Sequence, residues 1–460
     1  MSKVLLIYPY FRPSNDRSVF RFPPLGVSFL ASSLLNAGHQ VQIIDCTFMN
    51  KADVLQQAFE ARAEVVGIYC MVTMQEDCLW LARQLRASTH LLMAGGPLAT
   101  CDPYAFVEDF DVVVRGEGEG TVLELVQAYT AGGDYSTIPG ITYLWKNTID
   151  GKATPDTITN PDRPFNKDLD SLPFPARQLL PNQSYIQFGI KRYGYSITTL
   201  MSTRGCPYDC EFCSNVIFGG SYRERSAKNV VDEIEQALSF GYDRISFADD
   251  VFTMRQIRVL EVCEEIKQRS LQFNWECLAR VDSIDAATYV EMYRAGCRRV
   301  YFGIESGDDT VLKLMNKKIT ADQARHAVMA ANQAGLEVGA FFILFYPGES
   351  NQTVLNTLRF ATSLPLDYLG LTMPYPLPGT KLYERVKGQI KREWHPGESV
   401  FGSHVLIYNA DFSETKMWFG IIKGRAQFEI KRRLRRLGKL APFILKLFEA
   451  PTDWLLCRLR

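Results

Sequence analysis

Apolar runs alternate with stretches of helical spacing through most of the chain, in two sets separated by a polar interval. In the first set the runs are Val4–Tyr8, Val41–Cys46, Val65–Val72, Leu91–Ala94 and Val112–Val114, and segments such as Leu25–Ala37 and Gln75–Leu85 carry apolar residues three and four apart. Continuous apolar runs are strands buried on both faces, and helices between them make a parallel, doubly wound sheet. In the second set the runs are Ile197–Ser202, Arg244–Ala248, Phe273–Ala279, Arg299–Ile304, Val338–Phe345 and Tyr368–Met373. Helices are expected over Asn229–Phe240, Arg255–Arg269, Ala286–Ala295, Asp322–Ala334 and Gln352–Leu364. Six right-handed strand–helix units curl into a partial barrel whose working face is the carboxyl end of its strands.

The interval 131–195 is rich in Gly, Asp, Asn and Pro, with Thr142–Trp145 as a hairpin strand and Leu172-Pro-Phe-Pro-Ala176 as an extended connector. It reads as a linker. The expected organisation is therefore a Rossmann-like α/β domain over 1–135, a linker over 136–195, a (β/α)6 barrel over 196–385 and a helical, basic region over 386–460.

At 460 residues the chain is too long for one average domain, and with 47% apolar residues it can bury full cores. Lys+Arg and Asp+Glu balance at 51 each, which leaves no global field to attract nucleic acid. The balance hides an asymmetry: residues 421–460 carry eleven Lys or Arg against Glu429, Glu449 and Asp453. Phe428, Leu434, Leu437, Ile444, Leu445 and Phe448 alternate with those cations as amphipathic helices do. The expected role is a solvated cap over the barrel; a membrane-surface contact or an acidic partner protein are the functional alternatives, and nucleic acid ranks behind both. The early Pro9 leaves too short an apolar core for a signal peptide, and no run reaches the ~20 residues of a spanning helix. A cytoplasmic, reducing location is expected.

The run Thr203-Arg-Gly-Cys-Pro-Tyr-Asp-Cys-Glu-Phe-Cys-Ser-Asn215 places Cys206, Cys210 and Cys213 in Cys-x3-Cys-x2-Cys spacing. Three thiolates so placed can hold three corners of a 4Fe-4S cluster and leave one iron without a protein ligand. Zinc competes weakly, since neither a His nor a fourth Cys lies within thirty residues after Cys213. A disulfide framework competes more weakly still, because the other eight cysteines are scattered through apolar segments.

With its aromatic Phe212 and its place after an apolar run, this motif resembles the radical S-adenosylmethionine (SAM) superfamily. The resemblance implies that the open iron is chelated by SAM and that one electron cleaves SAM to a 5′-deoxyadenosyl radical. Candidates for holding SAM are Phe212 and the strand-end residues Asp249, Arg280, Glu305, Ser306, Tyr346 and Pro347; an Arg fits a carboxylate bidentately, and Glu or Ser suits ribose hydroxyls. Taken singly, each is as well explained as a cap or turn residue.

Four loops at the carboxyl ends of the first strands carry unusual residues: Pro23-Pro-Leu-Gly26, Met71-Val-Thr-Met74, Gly95-Gly-Pro97 and Gly116-Glu-Gly-Glu-Gly120. Alone they read as tight turns, and no Gly-x-Gly-x-x-Gly follows the first strand. With the cluster motif downstream, their order resembles the cobalamin-binding domain of one radical SAM class. The resemblance implies that Pro24, Leu25, Gly26, Thr73, Gly95, Gly96, Pro97, Glu117, Gly118 and Glu119 hold cobalamin. The Asp-x-His-x-x-Gly signature of His-ligated cobalamin is missing, so cobalt is expected to lack a protein imidazole. The strings Ala279-Arg-Val-Asp282, Phe302-Gly-Ile-Glu-Ser-Gly307 and Pro374-Tyr-Pro-Leu-Pro-Gly-Thr380 are similar to those of the same cobalamin-dependent family.

The activity implied is methyl transfer from SAM through cobalamin to an unactivated carbon, with a ring-forming reaction on a porphyrin or lipid as the alternative. Sulfur insertion would call for a further N-terminal cysteine trio, and Cys46, Cys70, Cys78 and Cys101 lie far apart. The segments Tyr8-Pro-Tyr-Phe-Arg-Pro13, Asn15-Asp-Arg-Ser-Val-Phe20 and Asp45-Cys-Thr-Phe48 resemble enzymes that C-methylate a glutamine of methyl-coenzyme M reductase. A protein substrate is thereby favoured, its α subunit in particular, with a ferredoxin or flavodoxin as electron donor.

Overall fold

A computed structural model describes residues 1–11, 21–149, 152–215, 217–391, 407–434 and 441–459. The segment 15–20 and part of the basic run lie outside them. The described chain forms two compact units, one of residues 1–206 and 215–243, the other of residues 207–214, 244–391 and 407–459.

In the first unit, strands β1 (Lys3–Tyr8), β2 (Gln40–Asp45), β3 (Val65–Tyr69), β4 (Leu91–Gly95) and β5 (Val112–Val114) pair in parallel in the order β2-β1-β3-β4-β5. Helices α1 (Leu25–Asn36), α2 (Lys51–Ala61), α3 (Gln75–Leu85), α4 (Pro97–Cys101) and α5 (Gly118–Ala131) connect them. Alternate strand residues feed two cores: Leu5, Ile7, Val66 and Ile68 face one, and Val4, Leu6, Val65 and Met93 the other. Burial on both faces is the reason the runs are continuous rather than alternating. The order reverses direction between β1 and β3, the switch point at which such sheets bind ligands. There the rings of Tyr8 and Tyr69 stand 5.3 Å apart.

The interval expected as a linker is structured. Strands β6 (Ile141–Ile149) and β7 (Lys152–Thr159) form an antiparallel hairpin that extends the sheet from β5, and α6 (Asn182–Tyr193) follows. Tyr185 on α6 donates to Asp45 Oδ2 at 2.7 Å, which ties α6 to the end of β2. Strand β8 (Ile197–Leu200), the two-residue antiparallel pair β9 (Thr203–Arg204) and β10 (Arg223–Glu224), and α7 (Ala227–Ser239) complete this unit.

The second unit places β11 (Arg244–Phe247), β12 (Asn274–Ala279), β13 (Cys297–Glu305), β14 (Glu337–Ile343) and β15 (Tyr368–Thr372) side by side in chain order, all parallel. Between them run α8 (Gln256–Gln268), α9 (Ala286–Arg294), α10 (Asp309–Leu314), α11 (Ala321–Gln333) and α12 (Asn351–Ser363), with α13 (Lys381–Val386) after β15. Thr320 and Ser350 start α11 and α12 with reciprocal capping boxes, which fix where the α10–α11 loop and the loop after β14 stop.

The tail forms α14 (Glu414–Leu434) and α15 (Ala441–Arg458). Of the expected apolar seam, Leu437 and the side chain of Ile444 lie outside the described residues, and Phe428, Leu434, Leu445 and Phe448 are half-buried. Met417, Gly420, Ile421 and Gly424 are the buried face of α14. A side chain at either glycine would meet Phe345, Leu358 or Leu371 below 2.7 Å, so the small residues let α14 lie close on β15 and α12. Among the described residues no helix is long and apolar enough to cross a membrane.

Candidate cofactor sites

The helices that follow β1, β3, β4 and β5 share a local peculiarity. α1, α3, α4 and α5 each begin without a side-chain cap, after Pro24, Met74, Gly96 and Glu117 respectively. By contrast α2, which follows β2, is capped by Asn50. A helix start without a side-chain cap suits an external acceptor such as the amides of a corrin ring, although in α4 the Leu98 N–H already donates to the Cys70 carbonyl at 3.2 Å. Gly96 shows how closely the loops are built: its φ is +109°, and a Cβ would stand 2.7 Å from the Cys70 carbonyl oxygen. Only glycine lets the β4 loop close on the β3 loop there.

The ten residues expected around cobalamin all fall in these loops, but they divide by chemistry. Pro24, Leu25, Gly26, Thr73, Gly95, Gly96, Pro97 and Gly118 offer backbone and small side chains. Glu117 and Glu119 are already engaged, the first with Arg223 Nη1 at 2.6 Å and the second with Arg204 Nη2 at 2.6 Å. Neither carboxylate is available to a ligand without breaking an ion pair.

His39 and His90, the described histidines of this unit, lie at the opposite edge. His39 precedes β2 and accepts from the Ser2 N–H, while His90 precedes β4 and contacts the Tyr129 hydroxyl. Neither can reach the carboxyl ends of the strands. Cob(II)alamin bound to the protein should therefore show an electron paramagnetic resonance spectrum without nitrogen splitting from a protein imidazole; such splitting would place a histidine on cobalt and overturn the arrangement.

Of the three motif cysteines, Cys206 belongs to the first unit and Cys210 and Cys213 to the second. None of the eleven cysteines is in a disulfide. Cys206 and Cys210 are half-buried and Cys213 is exposed, whereas six of the remaining eight are buried in the cores. Around Cys206 the backbone is held at both ends: its N–H donates to Gly219 O at 3.3 Å, and its carbonyl accepts from Asn215 Nδ2 at 3.0 Å. Burial pushes the Cys210 thiol up, and the nearby Lys317 and Arg280 cations pull it back toward the thiolate that iron requires.

The second unit grips the Cys210–Cys213 segment through side chains that the motif does not advertise. Glu211 Oε2 accepts from the Tyr346 hydroxyl at 2.6 Å and from Arg385 Nη1 at 3.0 Å, while its N–H donates to Met315 O. Asn316 Nδ2 donates to Asp209 O at 2.7 Å. Lys317 Nζ stands 5.7 Å above the Phe212 ring and 3.0 Å from Glu305 Oε1. Arg280 is bidentate with Asp282 and stacks its guanidinium 3.4 Å from the centre of the Tyr208 ring.

The residues expected around SAM are thus placed unevenly. Phe212, Arg280 and Glu305 gather with Lys317 around Cys210. Tyr346 reaches the same segment through Glu211, and Pro347 through its carbonyl to Arg385. Ser306 does not join them; its hydroxyl contacts Thr357 at 2.8 Å and accepts from the Asp308 N–H, as a turn residue does. Asp249 is buried just beyond β11. Behind Tyr346, burial pushes the Glu349 carboxyl up to about 7 while it accepts from the Tyr346 N–H.

Fold and donor sets define a class: a doubly wound sheet unit and a second parallel α/β unit in one chain, with a three-cysteine motif divided between them. Residues 15–126 match the B12 binding domain, and residues 200–361 match the Radical SAM superfamily. An uncharacterized methyltransferase of Pyrococcus horikoshii is 33% identical over 396 residues, covering 83% of this chain and 82% of that one. The anaerobic magnesium-protoporphyrin IX monomethyl ester cyclase of Cereibacter sphaeroides is 26% identical, over 85% of this chain and 64% of its own. Among solved structures, the radical SAM methyltransferase TsrM of Kitasatospora setae, with cobalamin and a [4Fe-4S] cluster bound, aligns with a TM-score of 0.69 at 20% identity over 84% of this chain and 75% of that one. The chain belongs to the cobalamin-dependent radical SAM methyltransferase family. It is an enzyme, and its cofactors are a [4Fe-4S] cluster, SAM and cobalamin.

Proposed function

We propose that the enzyme transfers a methyl group from SAM, by way of cobalamin, to an unactivated sp3 carbon. The observation that carries this reading is the coincidence in one chain of a sheet edge with helix starts that carry no side-chain cap and, among the described residues, without histidine, and a three-cysteine loop set among cations. When bound, cobalamin supplies a methyl carrier and the cluster supplies the electron that cleaves SAM. A carbon without acidity gives an ordinary base no proton to take, so no catalytic acid–base pair is assigned.

Cys206, Cys210 and Cys213 are proposed as the cluster ligands, Arg280, Glu305, Lys317 and Phe212 as the groups nearest SAM, and Asp249 and Pro347 as its outer contacts. Tyr346 and Ser306 act through Glu211 and Thr357, by orienting loops. The uncapped starts of α1, α3, α4 and α5 are proposed to take the corrin, within a domain spanning 1–135, and the barrel to span 196–385. Glutamine of methyl-coenzyme M reductase is the proposed acceptor, on the resemblance of residues 8–20 and 45–48; of these, 12–20 lie outside the described residues. In the tail, α15 leaves Leu447, Trp454 and Leu455 exposed beside Lys446 and Arg458, the composition of a peripheral lipid contact.

Anaerobic turnover with reconstituted cofactors tests the reaction. The expected products are 5′-deoxyadenosine and S-adenosylhomocysteine together with substrate heavier by one CH2. The cyclase relative favours a second reading, ring formation without added carbon. 5′-Deoxyadenosine formed with substrate turnover but without S-adenosylhomocysteine would establish it instead.

A further inference from the structure

Two arginines flank the cluster motif, and both lie across the same short ladder. Arg204 is directly opposite Arg223 in the β9–β10 pair, which is only two residues long on each side. So short a ladder holds register weakly, and like charges set opposite each other repel. Both side chains are nevertheless buried, Arg204 at 4% and Arg223 at 6% exposure.

The compensation comes from the loop between β5 and α5. Glu117 Oε1 lies 2.6 Å from Arg223 Nη1 and 3.4 Å from Arg204 Nη1, so one carboxylate bridges the opposed cations. Glu119 takes the other face of Arg204 at 2.6 Å. Arg204 also lies between the rings of Phe29 on α1, at 5.3 Å, and Phe218, at 5.1 Å. Arg223 continues the chain of contacts to the carbonyls of Phe218 and Ser221, which belong to the turn that holds Cys206. Gly205 lets that turn close, since its φ is +83° and a Cβ would stand 2.2 Å from Ser221 O.

We propose that the Glu117–Arg223 and Glu119–Arg204 pairs are positioning residues that lock the Cys206 hairpin to the β5–α5 loop, so that the cluster-bearing strand and the corrin-binding loop are held in one register. The proposal rests on the assignment of Cys206 to the cluster and of that loop to cobalamin. Apolar side chains of the same volume would stabilise a buried contact at least as well as two ion pairs. Fixing a register is the best-attested use of buried charges. Here the ladder needs such a device, and the carboxylates come from the first turn of α5, where Gly118 opens the helix.

The test uses the full chain, reconstituted anaerobically with iron, sulfide and cobalamin, as wild type, Arg204→Met, Arg204→Lys and Glu119→Gln. Iron and cobalt per chain are measured first. The expected result is that Arg204→Met keeps both cofactors while 5′-deoxyadenosine released per methylated product rises roughly ten- to hundredfold, the scale of an ångström-level misplacement. Arg204→Lys, which keeps one pair, should recover part of the coupling. Independently of turnover, the power saturation of the cob(II)alamin resonance beside the reduced cluster should change in Arg204→Met and partly return in Arg204→Lys.

An unchanged saturation and an unchanged product ratio in cofactor-replete Arg204→Met and Glu119→Gln overturn the proposal. If Arg204→Met loses its cofactors, the cofactor-replete Arg204→Lys decides by the same two readings. If wild type forms no methylated product the proposed reaction fails, and the saturation measurement still judges the positioning role of the ion pairs.

Discussion

Cys210→Ala is expected to abolish 5′-deoxyadenosine formation and to strip most iron from the anaerobically purified protein. An iron cubane needs a thiolate at each protein-held corner, and with three available for three corners there is no spare. Cys210 is the informative choice because its surroundings are asymmetric. Burial holds its thiol up, and Lys317 and Arg280 offset part of that cost, a pair of nearby cations that none of the fully buried core thiols is given. Alanine there leaves those cations facing an apolar methyl and leaves the cluster with two ligands. The fall in SAM cleavage should be on the order of a thousandfold or more, since one electron from the cluster is the sole source of the radical. Cys457→Ala, exposed on α15, should match wild type in both iron and product. Iron is read by chelation assay and product by mass spectrometry under dithionite. Undiminished 5′-deoxyadenosine from Cys210→Ala would sink the cluster assignment.

Much of the scaffold was legible in the pattern of apolar positions. Val112–Val114 and Gln75–Leu85 coincide with the observed β5 and α3, and the other expected strands end within four residues of their observed limits. Periodicity reports burial, and these elements are buried where the pattern is densest. Within 131–195 the expected hairpin strand Thr142–Trp145 lies inside β6, while α6 left no signal because it buries only a narrow stripe around Tyr185, Ile186 and Gly189. The tail misled differently. Its seam is made of Gly420 and Gly424, four residues apart, and small residues carry no hydrophobic signal even where they permit the closest packing.

The candidate site followed the same division. Position at a strand's carboxyl end says which edge a side chain occupies, and Arg280, Glu305 and Tyr346 do lie at or just beyond the ends of β12, β13 and β14. It cannot say which partner the side chain takes: Ser306, Glu117 and Glu119 stand at the expected edge and are engaged by protein groups there. Lys317, Arg385, Arg204 and Arg223, which hold the cluster segment and its flanks, carry no sequence signal because they lie on a helix-to-helix loop, a late helix and a two-residue ladder. The one local signal was charge: Glu117 and Glu119 crowd the start of α5, and an acidic pair entering a buried loop calls for cations nearby.

The largest stability effect is expected at Glu233, a residue with no place in any motif. Its side chain is 0% exposed on α7 and accepts from Arg177 Nη2 at 2.6 Å and from Arg225 Nη1. Arg177 in turn donates to Thr198 and to the Thr199 carbonyl on β8, and Arg225 donates to Met201 O at 2.9 Å, just before the β9 strand that leads to the cluster loop. One carboxylate thus neutralises two buried guanidiniums that hold the end of β8. Glu233→Ala leaves both cations in a low-dielectric site without a counter-ion, which costs about 3–5 kcal/mol. For a unit of some two hundred residues that corresponds to a fall of roughly 10 °C or more in the first thermal transition. Glu233→Gln should lose less, because its amide oxygen still accepts from one arginine while its NH2 opposes the other. Replacing all three together, as Arg177→Met, Glu233→Leu and Arg225→Met, should recover much of the loss, since no charge is then left unpaired. Differential scanning calorimetry of the apo chain reads all three. A shift of under about 2 °C for Glu233→Ala would mean that the two arginines find water or another acceptor there, and that the hairpin leading to Cys206 is held by its backbone alone.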